Sequence, residues 1–242
     1  MTARRGAGAG VRQLHLGVEL PLGGEGGGTG ADFESWAALA RVAERGLFDV
    51  VLLAGERGCG PEPVTVLHAL AAVTGRIGLA VALPGAGAGR EPYDLARRIA
   101  VLDRLSGGRA GGPPVRFCDP SGAQARPALL DLGGTPEVLL TGLPPGGRHG
   151  SRRARVLSRL DLAAEAAASG AAARELADRL HTQVQSAATD GFVLRPDPAA
   201  AGRGLDAFVD RVVPLLQQRG SLRTAYTGTT LRDHLGLSRP GS

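Results

Sequence analysis

The first half of the chain alternates strand and helix patterns three times, and this repeat limits the possible folds more than any other feature. Strands are predicted at LHLGVEL (14–20), LFDVVLLAG (47–55) and RIGLAVALPG (76–85), and helices at 32–46, 63–75 and 92–108. Two of the strands are continuous apolar runs, which are typical of a parallel sheet covered by helices on both faces. The last two helices begin with proline and end with glycine. The repeat predicts an α/β fold, either a (β/α) barrel or a doubly wound sheet.

The second half of the chain is less regular. Residues 111–150 contain GGPP, GGTP and LPPGG, and this Gly/Pro-rich segment is expected to be irregular. Further strands are predicted at RAGGPPVRF (109–117), RPALLDL (126–132) and DGFVLRP (190–196), which makes six, and EVLLTG (137–142) is a weaker candidate. The Ala, Leu and Arg-rich stretch at 151–187 predicts two helical segments that break near Ser169-Gly170, and 205–220 predicts a closing helix with a kink at Pro214.

The length of the chain and its hydrophobic content suit one domain over residues 1–242. Hydrophobic residues make up 43% of the sequence but aromatic residues only 3%, so the core must be built from Ala, Leu and Val. The strand candidates number about six, fewer than the eight of a complete TIM barrel. We therefore expect a TIM-barrel-like fold that is incomplete or irregular in its second half, with an open or rebuilt sheet.

The basic charge of the chain is weak evidence for nucleic-acid binding. The formal net charge is +5, but the sequence contains no lysine and no asparagine, so all 28 basic residues are arginine. Such a bias indicates G+C-rich coding as much as selection for charge. Cys59 and Cys118 are far apart and lack C-x-x-C spacing, which argues against a disulfide framework or a zinc site.

The N-terminal segment is not expected to be a secretory signal. It carries Arg4-Arg5, but Arg12, His15 and Glu19 interrupt the apolar stretch that a signal requires. The sequence also lacks a run of about 20 apolar residues that would span a membrane. We therefore expect a cytoplasmic protein without a membrane partner.

Several phrases of the sequence together resemble one protein family. FDVVLLAG, EPVTVLHALAAVTGRIGLA and EPYDLARRIAVLDRLSGGRAG, within residues 48–111, resemble the second to fourth βα units of flavin-dependent monooxygenases of the bacterial-luciferase superfamily, in the nitrilotriacetate and dibenzothiophene-sulfone monooxygenase branch. ATDGFVLRP, LDAFVDRVVPLLQQRG and LRTAYTGTTLRDHLGLSRP resemble the ending of that family. The chain is shortened in the middle relative to this pattern.

The resemblance implies a TIM-type barrel that binds reduced FMN at the carboxyl ends of its strands. It implies a monooxygenase that inserts one oxygen atom from O2 into a small organic substrate, with a separate flavin reductase as partner. Self-association into a homo-oligomer is left open, and the resemblance assigns no catalytic residue and no metal. Two alternatives are a shortened, catalytically silent homologue that acts as a partner subunit or has no function, and an Arg-driven nucleic-acid binder.

The resemblance places six residues near the flavin, and several of them depart from the family pattern. These residues are Ala54, Pro84, Glu91, Tyr93, Gly111 and Gly112. Glu91 and Tyr93 match the start of a helix beside the flavin, although Glu91 also suits a helix N-terminus and Tyr93 simple packing. Gly111 and Gly112 stand where strand four should deliver side chains to the pocket, and glycine delivers none. We therefore expect reduced FMN to bind weakly.

Three other features have both a functional and a structural interpretation. Gly133-Gly134-Thr135 can present backbone N–H groups to a phosphate or form a plain turn. The arginine run is either an anion patch or a solvated linker and helix face, and the second is favoured because no aromatic residues interleave. Its members are Arg148, Arg152, Arg153, Arg155 and Arg159. His15 either faces the barrel mouth or is a half-buried structural histidine, and the five histidines show no metal-ligand spacing.

The Gly/Pro-rich composition of residues 111–150 makes a testable prediction. This segment has little apolar surface to offset the backbone entropy lost on ordering. Limited proteolysis of the full chain should therefore cut first within 111–150, as read by mass spectrometry of the fragments. Earlier cleavage inside 63–105 would show that the core has been misplaced.

Overall fold

The eight strands within the described residues form one closed parallel barrel. A computed structural model describes residues 10–20, 22, 32–54, 61–82, 92–113, 128–131, 138–141, 154–163, 167–197 and 203–238. The strands are β1 (His15–Leu20), β2 (Val50–Ala54), β3 (Gly78–Ala82), β4 (Ala110–Gly112), β5 (Ala128–Asp131), β6 (Val138–Thr141), β7 (Arg155–Leu162) and β8 (Gly191–Pro196). Each strand pairs with the next along the chain, and β8 pairs with β1.

The TIM-barrel-like α/β class predicted from the sequence is confirmed, but the expected open sheet is wrong. Closure is direct, because His15 of β1 pairs with Gly191 of β8, and Gly191 also pairs with Leu157 of β7. The sequence predicts a helix over the segment that forms β7, so the number of strand candidates falls short of eight. The irregularity predicted for the second half remains in the lengths of β4, β5 and β6, which have three, four and four residues.

The segment that forms β7 has a helical composition but a strand pattern. In RVLSRLDL the residues Leu157, Arg159 and Asp161 alternate with Val156, Ser158 and Leu160. Pairing with β6 on one side and β8 on the other decides the conformation, because it satisfies the backbone N–H and C=O groups along the strand.

The predicted helices of the first half are present. They are α1 (Phe33–Arg45), α2 (Pro63–Val73) and α3 (Pro92–Leu105). The side chain of Asp32 accepts a hydrogen bond from the Ser35 N–H at 2.9 Å, and that of Glu62 accepts one from Thr65 N–H at 2.8 Å. These contacts satisfy donors that the first turns of α1 and α2 leave free. Gly107, with φ of 70°, follows α3 in the left-handed conformation that glycine reaches without strain.

The later helices are α4 (Gly170–Gln185), α5 (Arg203–Ala207), α6 (Val213–Gln218) and α7 (Leu231–Leu235). A π-helical turn, Phe208–Val212, joins α5 to α6, so the predicted closing helix is a single irregular stretch. Pro214 has no N–H for the regular helical bond, and the wider turn directly before it accommodates that loss. None of the helices in the described ranges combines the length and apolarity needed to cross a membrane.

Alternate residues of the strands build two apolar layers. One face of the strands packs against the helices in a cluster that contains Leu16, Val51 and Leu79 together with Trp36 and Ile99. The opposite face fills the lumen of the barrel with a separate cluster. That lumen cluster contains Val50, Leu52, Ala80, Ala82, Ala128, Val138, Leu140, Leu157 and Val193, together with Leu231 and Leu235 of α7.

Helix α7 closes the lumen at the amino ends of the strands. Thr230 and Asp233 form a reciprocal capping box at its start. A Cβ on Gly78, the first residue of β3, would lie 2.4 Å from Leu231 Cδ1, so glycine is needed there for the helix to approach. The Leu231 N–H donates to the Gly108 carbonyl at 3.0 Å, and Arg155 Nε donates to the Leu235 carbonyl at 2.9 Å.

Truncation of the plug residue Leu231 should destabilise the barrel. Leu231 is fully buried in the lumen cluster, so Leu231→Ala leaves a cavity and should lower the free energy of unfolding by about 2–5 kcal/mol. Leu105→Ala is the matched control, because Leu105 is 70% exposed, and its effect should stay within about 0.5 kcal/mol. Urea unfolding of both variants measures the difference. Equal effects would contradict the assigned position of α7.

Candidate functional site

Charged side chains gather at both ends of the barrel, and the two groups differ in their surroundings. The mouth cluster, at the carboxyl ends of the strands, consists of Glu19, Arg159, Asp161 and Arg195. The base cluster, at the amino ends, consists of His15, Asp49, Arg223, Tyr226 and His234. Active sites of TIM barrels lie at the carboxyl ends, so the mouth cluster is the candidate functional site.

Strand alternation places the mouth cluster on the lumen face. Val18 and Leu20 of β1 pack against the helices, so Glu19 between them points to the lumen. Arg159 and Asp161 continue the face of Leu157 in β7, and Arg195 continues the face of Val193 in β8. The register pairs Asp161 with Arg195, which brings these residues together although they are 34 positions apart in sequence.

The mouth cluster contains an inner and an outer ion pair. In the inner pair, Arg159 Nε donates to Glu19 Oε2 at 2.8 Å, and the two side chains are 17% and 15% exposed. In the outer pair, Arg195 Nη2 lies 2.6 Å from Asp161 Oδ1, and the side chains are 45% and 78% exposed. Solvent screens the outer pair, so the inner pair is the better ordered and the stronger of the two.

The wall formed by β2, β3 and β4 ends in small residues on its lumen face. Ala54 continues the lumen face of Leu52, and Ala82 belongs to the lumen cluster. Gly111 lies on the lumen face because its neighbours Ala110 and Gly112 face the helices. Among the described residues, the last lumen-facing position of each of these three strands therefore carries nothing larger than a methyl group.

The predicted flavin-site residues are only partly brought together. Ala54 and Gly111 lie on the small-residue wall. A Cβ on Gly112 would lie 2.5 Å from Ile99 Cδ1, so Gly112 faces α3 and its lack of a side chain serves helix packing. Tyr93 lies in the first turn of α3 and its side chain is 63% exposed. Pro84 and Glu91 fall outside the described residues, as do the predicted phosphate turn at 133–135 and both cysteines.

The sequence interpretation missed most of the mouth cluster. From the sequence, Glu19 is noted only because it interrupts a signal-like apolar segment. Arg159 is assigned to a solvated linker and helix face. That assignment of Arg159 is wrong, because β7 is a strand and its alternation turns Arg159 inward. Arg148, Arg152 and Arg153 fall outside the described residues. The sequence does contain a signal for these residues. In VEL (18–20), RLDL (159–162) and LRP (194–196), charged residues alternate with apolar ones, which places the charged side chains together on one face of the strand.

The base cluster is centred on a fully buried carboxylate. Asp49 Oδ2 accepts a hydrogen bond from Leu16 N–H at 2.8 Å, and Asp49 Oδ1 lies 3.2 Å from His15 Nδ1 and also accepts from Arg223 Nη2. Burial raises the pKa of Asp49, but its interactions with His15 and Arg223 outweigh burial and hold that pKa below the usual value. His15 is only 7% exposed and lies at the base, so the structural interpretation of this histidine is confirmed and it does not face the mouth.

The rest of the base cluster ties the C-terminal segment to β2. The Tyr226 hydroxyl donates to the Phe48 carbonyl at 2.7 Å, and its ring centroid lies 4.7 Å from that of His234. Burial raises the pKa of Tyr226 and lowers the pKa of His234, so both side chains are neutral near pH 7. Leu231 and Leu235 separate this cluster from the mouth. We assign it to stability.

The comparisons with known proteins agree with this architecture. Residues 16–111 match the family described as luciferase-like monooxygenase. Over 66 residues the chain is 47% identical to N-acetyl-S-(2-succino)cysteine monooxygenase of Bacillus subtilis and 50% identical to dibenzothiophene-sulfone monooxygenase of Rhodococcus erythropolis. Each match covers 27% of this chain and 14% of the relative, so the chain matches only a small part of the curated relatives' length.

The same fold occurs in solved structures of monooxygenases. EDTA monooxygenase from Chelativorans sp. BNC1 superposes with a TM-score of 0.73 at 19% identity, covering 94% of this chain and 99% of that one. Long-chain alkane monooxygenase superposes with a TM-score of 0.74 at 14% identity, covering 96% of each chain. These likenesses show the barrel fold. The resemblance to luciferase-like monooxygenases predicted from the sequence is confirmed for residues 16–111.

The charge arrangement around Asp49 predicts a pH-dependent contribution to stability. Asp49→Asn leaves buried Arg223 without its counter-charge and should lower the free energy of unfolding by about 3 kcal/mol at pH 7. The folded-state pKa of Asp49 lies below its unfolded value, so this contribution is full above the unfolded value and is lost as the pH falls through the folded one. Urea unfolding should show the two proteins converging from about pH 5 towards pH 2.

Asp178→Asn is the matched control for this experiment. Asp178 pairs with Arg219 at 2.6 Å, but its side chain is 66% exposed, so its loss should cost less than about 1 kcal/mol. A difference between wild type and Asp49→Asn that stays constant with pH would contradict the assigned ionisation of Asp49.

Proposed function

We propose that this chain is a flavin-dependent monooxygenase that uses reduced FMN and O2 to insert one oxygen atom into a small organic substrate at the barrel mouth. The family match over residues 16–111 carries this proposal, because it extends from β1 to β4 and includes Glu19, Ala54 and Gly111. A separate flavin reductase is the expected source of reduced FMN. The relative from Aminobacter aminovorans, which is named nitrilotriacetate monooxygenase component A, also suggests a second component.

The described residues of the mouth fit a flat, anionic cofactor. On one side of the mouth, the last lumen-facing residues of the described strands β2, β3 and β4 are the small residues Ala54, Ala82 and Gly111. Arg159 and Arg195 supply guanidinium N–H donors on the opposite side, each of them also paired with a carboxylate. Reduced flavin, when bound, supplies the electrons that activate O2.

The protein's own residues contribute position and water exclusion. The Glu19–Arg159 pair fixes a guanidinium group above the lumen. Val50, Leu157 and Val193 fill the lumen below it, and α7 closes the far end. Reactants therefore reach the site from the mouth only, and the apolar floor keeps water away from the reacting groups.

A catalytically silent homologue is the second candidate, and Gly111 favours it. Gly111 is the lumen-facing residue of β4, and it has no side chain that could contact a cofactor. The nucleic-acid binder has less support, because Arg159 is paired inside the barrel and Arg155 is bound to the Leu235 carbonyl. The two described arginines of the run therefore form no surface patch together.

Anaerobic titration with reduced FMN tests the proposed function. We expect saturable binding, weakened by the missing side chain at Gly111 to a Kd between about 1 μM and 1 mM, or about −8 to −4 kcal/mol. With a flavin reductase, 18O2 and the substrates named for the relatives, a product should carry one 18O atom. A folded chain, judged by circular dichroism, that shows no saturable binding below 1 mM would favour the silent homologue.

A further inference from the structure

Arg159 is bound differently from the structural arginine of the same barrel. Arg109, which is 4% exposed, uses Nε, Nη1 and Nη2 to donate to Ser106, Ile77 and Thr74, all at 2.9–3.1 Å. Arg159 uses Nε alone, toward Glu19. Within the described part of the chain, Nη1 and Nη2 of Arg159 have no hydrogen-bond partner.

The bond to Glu19 directs the Nε edge of the guanidinium group toward that carboxylate and leaves Nη1 and Nη2 available. The pair is 17% and 15% exposed, so the guanidinium is sheltered but accessible from the mouth. Two N–H groups on the end of a guanidinium match the two oxygens of a carboxylate or phosphate. The arrangement therefore suits a second anion in addition to Glu19.

The surroundings of Arg159 strengthen such a contact. Val193, its partner in the register, and Val50 belong to the apolar lumen cluster beneath it. Asp161 and Arg195 are the other charged groups of the mouth cluster, and they pair with each other at the exposed rim. A sheltered apolar floor lowers the local dielectric and makes a charge-assisted hydrogen bond stronger than at the surface.

We propose that Arg159 binds the oxyanion of a small organic anion in the mouth, and that Glu19 is the positioning residue that aims it. The oxyanion is either the phosphate of the flavin or a carboxylate of the substrate. This inference deepens the proposed function, since it concerns the same site. If Arg159 is such a binding residue, its substitution lowers the affinity for anions and leaves the affinity for neutral analogues unchanged.

The principal test compares Arg159→Gln with wild type against four probes. The probes are reduced FMN, reduced riboflavin, citrate and inorganic phosphate, each followed by anaerobic calorimetric titration. If the phosphate of the flavin binds Arg159, affinity for FMN falls about 10- to 100-fold and affinity for riboflavin is unchanged. If a carboxylate binds there, citrate affinity falls by that factor and both flavins are unaffected. If the affinities of wild type and Arg159→Gln differ by less than about twofold for FMN, citrate and phosphate alike, the proposal is overturned.

The probes separate this proposal from the proposed function. If wild type binds citrate or phosphate through Arg159 but binds no flavin, the anion site stands and the monooxygenase proposal fails. Arg45→Gln is the matched control, because Arg45 pairs with Asp206 and Asp210 at the surface and is 52% exposed. Far-UV circular dichroism and urea midpoints verify that each variant is folded.

Two substitutions at Glu19 test its positioning role. Glu19→Gln keeps an acceptor for Arg159 Nε and removes a negative charge, so anion affinity should equal or exceed that of wild type. Glu19→Ala removes the acceptor, and affinity should fall at least about fivefold below that of Glu19→Gln. Equal affinities for the two variants would show that Glu19 acts only through its charge and would overturn its assigned role.

Discussion

The pairing of β8 with β1 is the interaction on which the barrel depends. It converts a twisted sheet with two edges into a closed cylinder, which removes unpaired backbone groups and defines an inside. The pairing requires glycine at position 191, because a Cβ there would lie 2.1 Å from the His15 carbonyl oxygen. Both charged clusters are built on the lumen that this closure creates.

Most of the first half of the fold could be predicted from sequence, because each element there has a local reason to form. Proline and glycine mark the helix ends, and continuous apolar runs mark strands buried on both faces. β7 could not be predicted in this way. Its residues favour helix individually, and its strand conformation comes from pairing with β6 and β8, which are distant in sequence.

The candidate site was harder to predict than the fold. The family resemblance directed attention to Ala54 and Gly111, which do share one wall. It gave no indication of the Glu19–Arg159 pair, whose members are 140 positions apart. Their meeting depends on closure and on the direction in which each strand turns its side chains, and both are properties of the assembled barrel.

The C-terminal plug makes completion of the barrel a late event in folding. Arg223 contacts Asp49 across 174 positions of sequence, and α7 contributes Leu231 and Leu235 to a lumen lined by strands made much earlier. A chain growing from its N-terminus exposes the apolar base of the lumen until these residues have left the ribosome. Contacts of this sequence separation slow folding and prolong exposure to aggregation.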